Sequence, residues 1–198
     1  RSVRVPVRAD YRADAEAMAA AVTPNTVLLV ASAPQYPQGV VDPVAEVAAV
    51  AERAGVSCHV DACMGGMTLP FLEKLGHPIP AWDFRVPGVT SISVDLHKYG
   101  YTAKGASVIL HRSKELRKHQ TFQTDNWLGG FYASSGVLGT KSGGPIAAAW
   151  AVLHHLGEEG YLRLVRDARA ATEKLARWLR AREGAVLLAE PDATLLAF

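Results

Sequence analysis

The sequence predicts an α/β fold, a mainly parallel sheet flanked by helices, with the start of a smaller C-terminal α/β domain. Three observations predict it. Short continuous apolar runs alternate with segments of helical period in the order strand, helix, strand. The connections between them are short. The 198 residues, 49% hydrophobic and 20% charged, have the composition of a globular protein, long enough for one large domain or part of two.

Ala9 to Ala21 carries Tyr11, Ala15, Met18 and Ala19 at roughly helical spacing and stops before Thr23-Pro24-Asn25, which predicts a first helix. Thr26 to Ala31 is a continuous apolar run with two valines, the pattern of a parallel strand covered on both faces. A polar, proline-marked loop from Ser32 to Gly39 follows. Asp42 before Pro43 reads as a capping residue with proline at the first helical position, and Val44, Val47, Ala48 and Ala51 continue that helix to Gly55. Val56 to Val60 and Thr90 to Val94 are the next strands, and Ser107 to Leu110 follows closely enough to run antiparallel.

Gly143 to His155 predicts a helix of small residues packed tightly against something. Glu158 to Arg182 predicts a long amphipathic one, with Leu162, Val165, Ala168, Leu175, Trp178 and Leu179 as its stripe. Ala185 to Ala189 and Thr194 to Phe198 read as the first strands of the second unit. The chain then divides into residues 1–157, part of a large domain, and 158–198, a connecting helix and the start of a small one. Both ends run into apolar segments, at Val3 and Val5 and at Leu195 to Phe198, so the chain reads as a piece of a longer polypeptide. Such a piece is expected neither to fold stably nor to be active alone.

The formal charge of +2, with both signs mixed along the chain, argues against nucleic acid or an anionic membrane surface as partner. Cys58 and Cys63 suggest neither a disulfide framework nor a zinc site, which makes reducing, cytoplasmic conditions the default. No apolar run of roughly 18 residues spans a bilayer in this stretch, so membrane association would have to come from outside it.

Ser93-Val94-Asp95-Leu96-His97-Lys98-Tyr99-Gly100-Tyr101 places a lysine just beyond an apolar strand that needs none, and His59-Val60-Asp61 ends an earlier strand in a carboxylate. Ligands of open α/β sheets collect along that strand edge. An acid and an amine facing one crevice are the two polar groups that pyridoxal phosphate requires: the lysine forms the Schiff base and the acid keeps the pyridine nitrogen protonated. Taken singly, Lys98 reads as a surface lysine and Asp61 as a cap or salt-bridged acid. The setting of Lys98, with His97 before it, glycines at 100 and 105 and aromatic residues at 99 and 101, is expected to lower the amine's pKa. His59 lies on the same strand face as Asp61, as a buried structural histidine or as that acid's partner.

His59 to Gly66 (HVDACMGG), Asp83 to Ser93 (DFRVPGVTSIS), His97 to Tyr101 (HKYGY), Tyr132 to Ser134 and Gly139 to Gly144 (GTKSGG) occur in one consistent order. Together they resemble the sphingosine-1-phosphate lyases, in the group II decarboxylase branch of fold-type I pyridoxal phosphate enzymes. The resemblance runs from about Arg1 to Tyr161. It implies pyridoxal 5'-phosphate as cofactor, Lys98 as the Schiff-base lysine, Asp61 as the pyridinium partner and His97 as a contact to the cofactor phosphate. It also implies that Thr140, Lys141 and Ser142 reach the cofactor phosphate of a neighbouring subunit in a homodimer. Without the resemblance that loop is a helix entry capped by Ser142, and both readings can hold together.

Lys104, six residues beyond Lys98, supplies a further cation of the kind a phosphorylated substrate needs. Tyr36 matches a substrate-facing position of the lyases, or simply packs on its neighbouring prolines. Tyr99 and Tyr101 would offer hydroxyls near the substrate phosphate. The implied reaction cleaves a phosphorylated sphingoid base between C2 and C3 to a long-chain aldehyde and phosphoethanolamine. An amino-acid decarboxylase of the glutamate or tyrosine type would use the same Lys98 and Asp61, and a noncatalytic dimerisation scaffold would keep only the fold. The lyases' cofactor-stacking histidine and their phosphate-cupping segment fall outside Arg1 to Phe198.

Overall fold

In the computed structural model, which describes residues 1–198, four strands form the main sheet in the order in which they occur. They are β1 (Leu28–Ser32), β2 (Ser57–Asp61), β3 (Val89–Asp95) and β4 (Ser107–His111). The first three are parallel, with Val30 opposite His59 and Asp61 opposite Ser93. β4 returns antiparallel and sets Ser107 beside Asp95. The apolar runs thus form the predicted mainly parallel sheet.

Period-two alternation divides the sheet into two unlike faces. Leu29, Ala31, Cys58, Val60, Ile92 and Val94 point to the core, where α2 (Val44–Ala54) buries Val44, Val47, Ala48 and Ala51. Fully burying each such valine contributes roughly 1.5–3 kcal/mol relative to exposure. The opposite face carries His59, Asp61, Ser91, Ser93 and Asp95. Its flanking Leu28 and Val30 are 45% and 46% exposed, so β1 is covered on one face within this chain and not on both as its composition predicts.

Two local expectations near the N-terminus change. The first helix, α1, spans only Ala15–Ala20, because Tyr11 adopts φ 63° and the Asp10 carboxylate binds the Arg12 amide in a tight turn before it. Asp14 caps it, accepting from the Ala17 amide at 2.9 Å. Asp42 does not cap α2. Its buried carboxylate accepts from the Ala13 amide at 2.8 Å and the Ser32 amide at 2.7 Å, tying the end of β1 to the N-terminal turn.

Two short elements carry too little pattern to be foreseen. α3 (Leu69–Lys74) has six residues with a proline in its first turn, yet buries Leu69 and Leu72 completely. Beyond β4, α4 (Lys114–Arg117) leads to a hairpin of β5 (Phe122–Thr124) and β6 (Tyr132–Ser134).

α5 (Gly143–Arg180) contains both predicted C-terminal helices, broken at Gly157, whose φ of 55° is open to glycine. Ser142 caps it by accepting from the Gly144 amide at 3.3 Å. Beyond the break Tyr161, Val165, Ala176 and Leu179 are buried, whereas Leu175 and Trp178 of the predicted stripe are exposed. The tail forms neither predicted strand. One bond, Leu188 amide to Ala197 carbonyl, joins it to itself; Arg169 of α5 donates to the Pro191 and Ala193 carbonyls, and the remaining bonds of Asp192 and Ala193 turn to the first part of the chain. Asp192 accepts from the Val41 amide at 2.7 Å and pairs with Arg12 at 2.6 Å, and its own amide donates to the Gly39 carbonyl. No helix is long and apolar enough to cross a membrane.

Candidate active site

β2 and β3 end side by side, and their last residues, Asp61 and Asp95, stand on the polar face at the C-terminal edge of the sheet. The chain leaves β3 through a turn in which the Lys98 amide donates to the Asp95 carbonyl at 3.2 Å. That turn swings the lysine back over its own strand. Lys98 Nζ lies 2.8 Å from Asp95 Oδ2 and donates to Cys63 Sγ at 3.0 Å, with the side chain one-third exposed.

Cys63 also donates its backbone amide to Asp61 Oδ1 at 3.1 Å, so one residue bridges the acid and the amine. Asp61 Oδ1 takes a second hydrogen bond from Ser93 Oγ at 3.2 Å. Oδ2 receives none from this chain and is free for another donor.

Hydrogen-bond accounting fixes the histidine behind this acid. Ser93 has one hydroxyl proton and gives it to Asp61, so its oxygen accepts from His59 Nε2 at 3.1 Å. Nε2 therefore carries the imidazole proton, and Nδ1 accepts from Ser91 Oγ at 2.8 Å. Burial pushes the His59 pKa below its usual value, in keeping with a neutral ring, with the Asp61 charge opposing the shift. His59 is a partner of the acid through Ser93.

The charge on Lys98 runs opposite to its expectation. Burial does act to lower the amine's pKa, but the hydrogen bonds to Asp95 and Cys63 outweigh it and hold the pKa well above the ordinary lysine value. The apolar neighbours of the motif counted for less than the carboxylate three residues earlier. Asp95 responds in kind: burial raises its pKa, Lys98 and Ser107 lower it, and the net shift is downward. His97 Nδ1 donates to the Ala106 carbonyl at 2.8 Å, which holds the ring against the start of β4.

The remaining predicted positions make no hydrogen bond to this network. Tyr36 is 71% exposed in the loop after β1, and Lys104 is exposed in the turn before β4. Tyr99 is partly buried, and Tyr101 is 45% exposed at φ 56°. Thr140, Lys141 and Ser142 are exposed ahead of α5. Cys63, Ser91, Ser93 and Asp95 were given no role by the motif reading. Polar residues at every second position of an otherwise apolar strand, Ser91, Ser93 and Asp95, are the signal that marks them.

A nucleophile-bearing lysine and a carboxylate with one free oxygen, both on parallel strand ends, suit a carbonyl cofactor with a ring nitrogen to protonate. The pyridoxal-dependent decarboxylase conserved domain matches residues 8–198, and the chain belongs to that family. Among its relatives are the sphingosine-1-phosphate lyases of Arabidopsis thaliana, 45% identical over 98% of this chain, and Rattus norvegicus, 43% identical over 98%. The chain spans about a third of their length, 36% and 34% respectively. A solved sphingosine-1-phosphate lyase from Burkholderia pseudomallei superposes with a TM-score of 0.90 at 45% identity, over 94% of this chain and 43% of that one. A Lactobacillus brevis glutamate decarboxylase superposes at 0.78 with 26% identity, over 93% of this chain and 43% of its own.

Proposed function

We propose that this chain is the cofactor-holding part of a pyridoxal phosphate-dependent carbon–carbon lyase that cleaves phosphorylated sphingoid bases to a long-chain aldehyde and phosphoethanolamine. The observation that carries the reading is the continuous link Asp61–Cys63–Lys98, which joins the two groups that the cofactor needs. The fit is chemical as well as spatial: Asp61 keeps Oδ2 free for a ring N–H, and Lys98 presents an amine at the exposed rim. Bound there, pyridoxal phosphate supplies an electron sink for the bond being broken.

Each residue then has a task. Lys98 anchors the cofactor covalently and Asp61 keeps its ring nitrogen protonated, with His59 and Ser93 fixing the acid. His97 faces the cofactor phosphate. Lys104, with Tyr99, Tyr101 and Tyr36, receives the substrate and its phosphate. The proton leaving the C3 hydroxyl is balanced by one delivered to C2, and the C2–C3 bond breaks between these events. Thr140 and Ser142 reach across to the cofactor of a second subunit in a homodimer. Supporting this, Val137 and Leu138 before them and Ile146 and Trp150 after them are 106%, 80%, 62% and 64% exposed.

Incubating the full-length protein with a phosphorylated and an unphosphorylated long-chain base tests the reading. Aldehyde from the phosphorylated base alone, without carbon dioxide, is the expected result; carbon dioxide from an amino acid would make it a decarboxylase. Lys104→Ala should raise KM for the phosphorylated base by roughly ten-fold or more, the loss of one charge-assisted contact. An unchanged KM would remove Lys104 from the substrate site.

A further inference from the structure

Cofactor capture needs a neutral amine, yet Lys98 is held by two acceptors that favour its charged form. Asp95 Oδ2 stands 2.8 Å from Nζ and Cys63 Sγ 3.0 Å from it, on two different strand ends. The carboxylate is itself fixed. Ser107 Oγ donates to Asp95 Oδ1 at 2.5 Å across the β3–β4 pair, so Oδ2 cannot rotate away without breaking that bond. The turn after β3 closes on the same residue, through the Lys98 amide and the Asp95 carbonyl.

We propose that Asp95 is a positioning residue that parks Lys98 as an ammonium, between its own carboxylate and Cys63, whenever the amine is not joined to the cofactor. The proposal rests on the reading of Lys98 as the cofactor lysine. The titratable groups against Lys98 Nζ are Asp95, the last residue of β3, and Cys63, just past β2; His97 and Asp61 stand behind them, beside the Asp95 carboxylate and the Cys63 amide. His97 Nε2 lies 3.8 Å from Asp95 Oδ2 and competes for the same oxygen only when protonated. The parked ammonium must first lose its proton to solvent; the neutral amine then condenses with an aldehyde and releases one water. Cofactor uptake is thereby slowed at neutral pH, while the lysine keeps one position and one proton in reserve.

The test uses full-length protein stripped of cofactor. Competitive acetylation across a pH series, against a free Nα-acetyl-lysine amide in the same solution, reads the titration of Lys98 directly. The wild-type amine should titrate above the free one, Asp95→Asn should bring it to or below it, and Asp95→Glu should restore it. Cofactor capture, trapped with borohydride and weighed by mass spectrometry, should be roughly ten-fold or more faster at pH 7.5 in Asp95→Asn. Wild-type Lys98 titrating at or below the free amine overturns the proposal without any variant. So does an Asp95→Asn protein that melts normally and titrates like wild type. Acetylation is measured without cofactor, so it stands apart from the functional reading. That reading fails instead if Lys98→Ala still traps the cofactor on another lysine.

Discussion

Replacing Ser93 by alanine removes the one hydroxyl that joins His59 to Asp61. Two bonds go: the 3.2 Å bond to the Asp61 carboxylate and the 3.1 Å bond from the His59 ring. A hydrogen bond to a charged group contributes about 1.5–3 kcal/mol and a neutral one about 0.5–1.5 kcal/mol. Both groups are half-buried and water recovers part of the loss, which places the cost near the low end, about 2 kcal/mol. Asp61 then keeps only the Cys63 amide on Oδ1 and is free to turn, so the cost falls on the oxygen that should meet the cofactor ring. About 2 kcal/mol is roughly a 30-fold weaker dissociation constant. Absorbance titration of stripped full-length protein with pyridoxal phosphate measures it. In an Asp61→Asn background the same step should cost less than about three-fold, because the charged partner is already gone. Equal losses in both backgrounds would refute the relay.

Two further outcomes follow from the site and its support. Burial holds the His59 pKa below its ordinary 6.5. The unfolded chain therefore binds more protons just below pH 6.5, and stability is lost as pH falls through that window. His59→Gln should flatten the acid limb of a plot of urea midpoint against pH between about 5 and 7; an unaltered limb would contradict a neutral, buried ring. In Gly65→Ala the new Cβ would stand 2.0 Å from the Ala33 carbonyl oxygen and 2.7 Å from both Leu69 Cδ1 and Pro34 Cδ. The obstacle is backbone, so the overpacking should cost at least about 1–3 kcal/mol and lower the melting temperature of the full-length protein by several degrees.

The sheet was legible because its strands are short apolar runs, and the nearness of Asp61 and Lys98 because both interrupt that pattern at the strand ends. Asp42 shows where such reading stops. Its position before Pro43 is that of a helix cap, but a cap and a tie between two loops look alike until tertiary contacts choose. The tail from Ala185 has strand-like composition, yet the backbone groups around Asp192 find their partners in the Gly39 carbonyl and the Arg169 side chain rather than in a neighbouring strand. Lys98 is the sharpest case. Composition around it suggested a desolvated, neutral amine, whereas its charge is decided by a turn geometry that composition does not encode.

Tyr161 gives the broken helix a mechanical meaning. Its ring stacks on Phe71 at 5.3 Å, and its hydroxyl donates to the Gly100 carbonyl at 2.8 Å, two residues past Lys98. The break at Gly157 frees the second half of α5 from the direction of the first, while this buried bond clamps it to the lysine turn. The turn that carries Lys98 is thus seated on a helix that also packs into the core through Val165, so the backbone beneath the lysine is held by a residue far along the chain.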